Sequence, residues 1–274
     1  MFNEKELAKL YDEKINNSRD INNLLARKDQ LVFNHNGILM SEDNISFPNT
    51  ELELLDLLHT MEINQAVYCI KFLGSPLPEH VVLDAGCGAG GTGILIHKEY
   101  GCFIEGITIS PQQVQVALES AAFYGYSNKV NFFAGNILTL DRVDNYYNFV
   151  YASENTEHLP NLDTMYKEFA RVSRPLGRLV IVTWCATSTK FGAEIKHQVD
   201  NHYKTHIHTR DEYIQEAQKC GWKLIQEIDL TTRTVPYWML RSCSENRTGS
   251  EIFMGFGFAT GSLQYYLFAF DLVD

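Results

Sequence analysis

Between Asp84 and Gly91 the chain reads DAGCGAGG, an aspartate followed by four glycines in six positions. Glycine has no Cβ and takes positive φ freely, so Gly86, Gly88, Gly90 and Gly91 let backbone press directly against a bound molecule. Each costs about 0.5–1 kcal/mol of backbone entropy elsewhere in a fold, which argues against an idle turn. The spacing of Gly86, Gly88 and Gly91 satisfies G-x-G-x-x-G, a weak signal shared by nucleotide-binding folds. A second cluster, YASENTEHL from Tyr151 to Leu159, sets Glu154, Glu157 and His158 within five residues. Three groups there can move a proton. Glu154 directly follows an apolar run and is the candidate base, with His158 as a second catalytic candidate. Glu157 and His158 equally suit the start of a helix.

These residues need elements to hold them. Val81 to Leu83 has the β-branched and aliphatic character of a strand buried on both faces, closed by Asp84. Strand and helix then alternate: a helix over 92–100, a strand over 103–107, and a helix over 111–124 opened by Ser110 as N-cap and Pro111 at its first position. Strands follow over 130–134 and 148–152. A helix over 162–173 and a strand over 178–183 come next, separated by Pro175 and Gly177. That order predicts an α/β fold, a Rossmann-like doubly wound and mostly parallel sheet. Tyr265, Tyr266, Phe268 and Phe270 alternate like a last sheet strand and are expected to be core. The first 75 residues read mostly helical, as a cap or oligomerisation extension. Glu105, near the end of the second strand, sits where an acid commonly accepts hydrogen bonds from ribose hydroxyls.

Composition narrows the function. With 274 residues, 45% of them hydrophobic, the chain can bury a large core. It carries 23 Lys and Arg against 34 Asp and Glu, a formal charge of −11, which argues against nucleic acid and anionic membrane as partners. Cys69, Cys87, Cys102, Cys185, Cys220 and Cys243 show no CxxC spacing, so neither a zinc site nor a disulfide framework is expected and a reducing cytoplasm fits. The N-terminus has no apolar signal region and no stretch approaches a membrane span. His197, His202, His206 and His208 lack a companion acid or Cys at ligand spacing, so no protein metal site is expected among them.

The acid placed before the first glycine makes DAGCGAGG resemble the first motif of class I S-adenosylmethionine-dependent methyltransferases. The resemblance implies that the backbone at Gly86 and Gly88 cradles the methionine part of the cofactor and that Asp84 orients it. GITISPQQ, Gly106 to Gln113, is similar to the matching segment of small-molecule C-methyltransferases, which brings Thr108 and Gln113 into competition with Glu105 for the nucleoside. Where the family often has an aspartate facing the adenine amino group, this chain has Asn136, whose carbonyl still accepts, beside Ile137, which can pack on the ring. The proline-based motif of protein and DNA N-methyltransferases is absent around Glu154.

The segments His202 to Tyr213, Leu224 to Ser242 and Gly261 to Val273 resemble the prenyl diphosphate C-methyltransferase family, and with gaps the likeness runs from about residue 30 onward. It implies a seven-stranded sheet with an antiparallel C-terminal strand, a methyltransferase domain over 76–274 and a substrate-cap insertion around 187–220. SENT, Ser153 to Thr156, falls on the family's N-E-S-T, which makes Glu154 the base or a cation-stabilising carboxylate, with the Tyr203 hydroxyl as the other proton acceptor, and brings Asn155 to the acceptor. Tyr203 falls on an aromatic that faces the allylic cation. FNHNGI, Phe33 to Ile38, is similar to a segment that closes over the cofactor, with Asn36 in place of a tyrosine. Tyr237 and Trp238 would offer aromatic faces, and His202 would border the acceptor. Arg210, Arg233 and Arg241, with a magnesium ion, would meet the diphosphate.

The activity so implied is transfer of a methyl group from S-adenosylmethionine to a C=C bond of geranyl, farnesyl or isopentenyl diphosphate. A carbocation results and is deprotonated. A small isoprenoid would be the partner of a cytoplasmic homo-oligomer. A methyltransferase of another isoprenoid or lipidic natural product, terpenoid-indole or sterol-like, and a non-catalytic S-adenosylmethionine-binding protein are the alternatives.

Overall fold

Strand β1 (Val81–Ala85) occupies the middle of a seven-stranded sheet because its side chains are apolar on both faces. The others are β2 (Phe103–Thr108), β3 (Val130–Ala134), β4 (Tyr147–Ser153), β5 (Ser173–Ala186), β6 (Trp222–Asp229) and β7 (Leu263–Leu272), in the order β3-β2-β1-β4-β5-β7-β6. β7 runs antiparallel to both its neighbours, whereas the β1, β2, β3, β4 and β5 pairings are parallel. The computed structural model describes residues 4–41 and 46–273.

Helices cover both faces, and the period-two alternation of the strands decides which residue meets which layer. Val82, Ile104, Val180, Val182 and Leu267 pack on one side with α3 (Glu51–Ile70), α4 (Gly91–Tyr100), α5 (Pro111–Phe123) and α9 (Thr231–Arg241). Leu83, Val150, Ile181, Phe268 and Phe270 pack on the other with α6 (Leu162–Val172) and α8 (Arg210–Lys219). The predicted N-cap forms, with Ser110 Oγ accepting from the Gln113 N–H at 3.1 Å.

The order of strands reverses at β1, which has β2 on one side and β4 on the other. A crevice therefore opens beyond their carboxyl ends, and the glycine turn after β1 and Glu154 after β4 both lie there. Three differences from the sequence reading matter. β5 starts at Ser173, directly after α6, and absorbs Pro175 and Gly177 as an irregularity: Ser173 pairs with Tyr147, and pairing resumes at Arg178 with Phe149. The N-terminal region holds α1 (Glu4–Asn16), α2 (Ile21–Leu25) and α3, but residues 30–40 between them have neither helix nor strand. Within 187–220, α7 (Lys190–Tyr203) borders the crevice, whereas α8 packs on α6 and β6 as part of the sheet's helical layer.

Candidate active site

The crevice divides into two adjoining chambers. The first, of about 850 Å³, is bounded by the glycine turn, the ends of β2 and β3, and α1. The second, of about 790 Å³, lies between α1, α7, α9 and the segment 34–36. Tyr11, Asn34, His35, Glu154 and His158 line both chambers and so stand at their junction.

In the first chamber, Gly86 and Gly88 hold φ of 68° and 53°. A Cβ on Gly86 would lie 2.4 Å from the Asn155 amide nitrogen, so the turn is closed to any side chain from behind. Asp84 is buried, and its Oδ2 has no hydrogen-bond partner. Burial lifts its pKa to about 7, opposed by a bond from the Gly93 N–H. An unpaired carboxylate oxygen in a chamber wall is a fitting partner for an ammonium group. Thr108 and Gln113 are buried in the same wall, joined by a 2.7 Å bond from Thr108 Oγ1 to Gln113 Oε1, which leaves the Gln113 amide NH2 to donate. Asn136 and Ile137 complete it. The Asn136 carbonyl accepts from the Leu138 N–H at 2.8 Å, and its amide donates to Glu4 of α1 at 2.6 Å.

Glu154 is the hinge of the arrangement. Its φ of 47° is a left-handed conformation that a non-glycine residue holds only when its surroundings over-determine it. Here the Asn36 N–H and the Tyr265 hydroxyl both donate to Oε1, each at 2.6 Å, and the Glu154 N–H donates to the Val182 carbonyl at 2.9 Å. Burial pushes its carboxyl well above the usual range, and nearby Glu157 adds to this, while the bonds from Tyr265 and Asn36 oppose it. Glu157 accepts from the Trp184 N–H at 2.8 Å and is lifted by burial to about 7. His158 is held down to about 4 by burial. Its Nδ1 lies 3.1 Å from the Lys204 carbonyl and its Nε2 lies 2.8 Å from the Tyr11 hydroxyl. A neutral ring with the proton on Nδ1 satisfies both bonds, and Nε2 then accepts from Tyr11.

The second chamber gathers aromatic faces around Glu154. Tyr203 stands edge-on to Trp184, with centroids 5.4 Å apart, and its hydroxyl lies 2.6 Å from Ser250 Oγ; burial pushes its pKa up to about 12. His202 packs edge-on to Tyr203 at 4.6 Å. Opposite, α9 presents Tyr237, Trp238 and Arg241. Arg241 is buried; it donates to the Tyr237 hydroxyl at 2.8 Å and to Asn22 at 2.9 Å, and its Nε is unpartnered. Lys14 of α1, over the Tyr203 ring at 5.7 Å, is a second cation on the same chamber.

Several expectations need correction. Glu105 does not border either chamber: its carboxylate is taken by Arg142 at 2.7 Å, Tyr147 at 2.8 Å and Tyr146 at 3.1 Å. β2 runs three residues beyond it, so Ile107, Thr108 and Ile109 line the first chamber instead. Asn155 lines the first chamber, not the second; its amide donates to the Ala85 carbonyl behind the glycine turn. Asn36 lines the second chamber, not the first, with both atoms of its side-chain amide buried and unpartnered. Arg210 is paired with Glu227, Nη2 to Oε2 at 2.6 Å, and Arg233 lies over the Tyr68 ring, so of the three arginines only Arg241 meets the chamber.

The sequence reading missed Tyr11, Lys14 and Tyr265. Tyr265 was read as core, and it is buried, but a tyrosine in a strand apolar on both faces needs a partner for its hydroxyl, and that need was a usable signal. The polar residues His59, Glu62 and Gln65 in the apolar helix α3, three apart on successive turns, were another. No group of three or more His, Cys, Asp or Glu is placed to hold a metal among the described residues. All six cysteines are free, and no described helix is long and apolar enough to cross a membrane.

Residues 77–234 match the methyltransferase domain family. Geranyl diphosphate 2-C-methyltransferase of Saccharopolyspora erythraea is 33% identical over 79% of this chain and 76% of its own length. The protein of the same name from Streptomyces lasalocidi is 31% identical over 94% of this chain and 87% of its own. The crystal structure of geranyl diphosphate C-methyltransferase from Streptomyces coelicolor, in complex with Mg2+, geranyl-S-thiolodiphosphate and S-adenosyl-L-homocysteine, superposes with a TM-score of 0.91 at 28% identity, covering 98% of each chain.

Proposed function

The chain belongs to the methyltransferase family that includes geranyl diphosphate 2-C-methyltransferase, and on that premise we propose that it methylates a C=C bond of a prenyl diphosphate. The observation that carries this reading is Glu154, a buried carboxyl held at the junction of a glycine-walled chamber and an aromatic one.

The first chamber fits S-adenosylmethionine, which when bound supplies an electrophilic methyl group. The unpaired Asp84 oxygen would meet its ammonium group. Thr108 and Gln113 would hold the nucleoside, and Asn136 and Ile137 the adenine edge and face. The backbone at Gly86 and Gly88 forms the floor. In the second chamber, Arg241 and Lys14 meet the diphosphate, and Tyr237, Trp238 and His202 border the acceptor. Among the described residues no group of acids is placed to hold a metal, so magnesium would have to arrive with the diphosphate.

After the acceptor's double bond gains its methyl group, a tertiary cation remains on the acceptor. The faces of Tyr203 and Trp184 stabilise it by cation–π attraction of ~2 kcal/mol when desolvated. Glu154 takes the proton from the adjacent carbon, and the C–H pair becomes the new π bond. The raised pKa of Glu154 suits a proton acceptor, and positive charge beside it favours its ionised form. His158, neutral and bonded to Tyr11, fixes the roof at the junction.

We assign residues 1–75 to a helical cap and 76–274 to the methyltransferase domain, with α7 as substrate wall. The free cysteines support a cytoplasmic location, and exposed Ile252, Phe253 and Phe256 on α10 (Glu251–Ala259) support a homo-oligomer. Incubation with geranyl, farnesyl and isopentenyl diphosphates, magnesium and methyl-labelled S-adenosylmethionine should give a prenyl diphosphate heavier by one methylene, read by mass spectrometry. Inertness toward all three overturns the reading.

A further inference from the structure

Behind the second chamber runs a line of buried polar contacts that the chemistry above leaves unused. It begins at Asp29, whose two carboxylate oxygens both lie 3.0 Å from His59 Nε2. His59 Nδ1 lies 3.5 Å from Glu62 Oε2 on the same helix. Glu62, 1% exposed, accepts at Oε1 from the Tyr237 hydroxyl at 2.7 Å, and that hydroxyl oxygen accepts from Arg241 at 2.8 Å. The Arg241 guanidinium also lies 4.0 Å from Glu62, through Nη1, and 3.7 Å from Glu251, through an Nε that has no hydrogen-bond partner. A buried glutamate in an apolar helix is costly and is retained only when its oxygens are occupied.

We propose that Asp29, His59 and Glu62 are positioning residues that hold the Tyr237 hydroxyl and the Arg241 guanidinium as a preset seat for the acceptor's diphosphate. This rests on the reading of the second chamber given above. The Glu62 carboxylate accepts from Tyr237, so the tyrosine proton points inward and its oxygen is left to receive Arg241. The hydroxyl thereby bridges the guanidinium to Glu62, which lies 4.0 Å from it. His59, bracketed by two acids, balances the charge that Glu62 would otherwise direct at an incoming anion.

The groups facing His59 are Asp29, Glu62 and, more distantly, His35 across the Phe33 ring; Arg241 and Tyr237 act on it through Glu62. The hydrogen bonds from Asp29 and Glu62 outweigh burial and lift the imidazole to about 9, so it is protonated at neutral pH. Above that value the positive charge is lost. The seat then becomes more negative and holds a diphosphate less well.

The test compares wild type with E62Q, H59Q and D29N. Calorimetric titration with magnesium pyrophosphate, and separately with S-adenosylhomocysteine, reads each chamber; steady-state kinetics on the best prenyl diphosphate follow. E62Q and H59Q should weaken pyrophosphate binding and raise KM about tenfold, the worth of one hydrogen bond to a charged group, with kcat within about twofold and nucleoside affinity unchanged. The wild-type KM should rise between pH 8 and 10, and this rise should vanish in H59Q. A KM that does not move in either variant overturns the proposal. So does a joint fall of kcat and of nucleoside affinity, which marks a merely structural role. If no prenyl diphosphate is methylated but pyrophosphate binds and weakens in E62Q, the substrate reading fails and the seat stands. If wild type binds no pyrophosphate, the seat falls as well.

Discussion

The Tyr265 hydroxyl donates to Glu154 Oε1 across 2.6 Å, from a strand that joins the sheet antiparallel to a carboxylate that follows a parallel one. That bond favours the ionised form of a carboxyl that burial pushes toward the neutral one.

Glu154→Gln keeps the shape and removes the base. Turnover of the prenyl substrate should fall by about 10²–10⁴, the usual worth of a general base, with nucleoside affinity within a few fold. Tyr265→Phe removes a bond that lowers the Glu154 pKa, so that pKa should rise further. The acid limb of the kcat profile should therefore move to higher pH, with a rate loss at neutral pH near tenfold that partly recovers as pH rises. A profile that stays in place would show that another group takes the proton.

Asp84 gives cofactor binding a pH signature. Its pKa in the empty chamber is lifted to about 7, and pairing with an ammonium group lowers it, so binding below about pH 7 releases a proton. Affinity should rise as pH increases toward 7 and flatten above. The raised carboxyl also means that Asp84 contributes stability at low pH that is lost as pH climbs from its unfolded value near 4 through 7. Calorimetry in buffers of different ionisation enthalpy at pH 6 should detect the released proton in wild type and none in Asp84→Asn.

Gly86 and Gly101 separate space from backbone conformation. Both hold φ near 67°, at 68° and 67°, but a Cβ at Gly101 meets nothing within 4 Å whereas at Gly86 it strikes Asn155. Gly101→Ala should cost about 1–2 kcal/mol by thermal or urea unfolding and leave activity intact. Gly86→Ala should lose more stability and also nucleoside binding. Equal behaviour of the two variants would remove the case for Asn155 as the back wall of the turn.

What could be read from the chain beforehand follows distance along it. The glycine turn, Asp84, Thr108, Gln113 and the Ser110 cap are local devices whose meaning lies within a few residues; the structure puts the turn, Asp84, Thr108 and Gln113 on one chamber and forms the cap beside them. Glu105 misled because its partner Arg142 is 37 residues away and nothing local announces the pair. Asn36 and Asn155 were assigned to each other's chambers, since a segment without helix or strand carries no periodicity from which to infer facing. Tyr265 meets Glu154 across 111 residues, and the alternation that locates β7 describes its burial but not the polar contacts made from it.

The insertion of β7 between β5 and β6 also orders assembly in time. β6 pairs with β7 alone, so it has no place in the sheet until residues 263–272 arrive, although it is synthesised first. β7 must also pair with β5, where Arg178 and Asp271 lie 93 residues apart, and pairings of such long sequence separation form late and slowly. The nucleoside chamber, built from residues that precede β5 in the chain, can close earlier, whereas Glu154 acquires its hydroxyl donor only with that final strand. A nascent chain can thus grip its methyl donor before it can do anything with it.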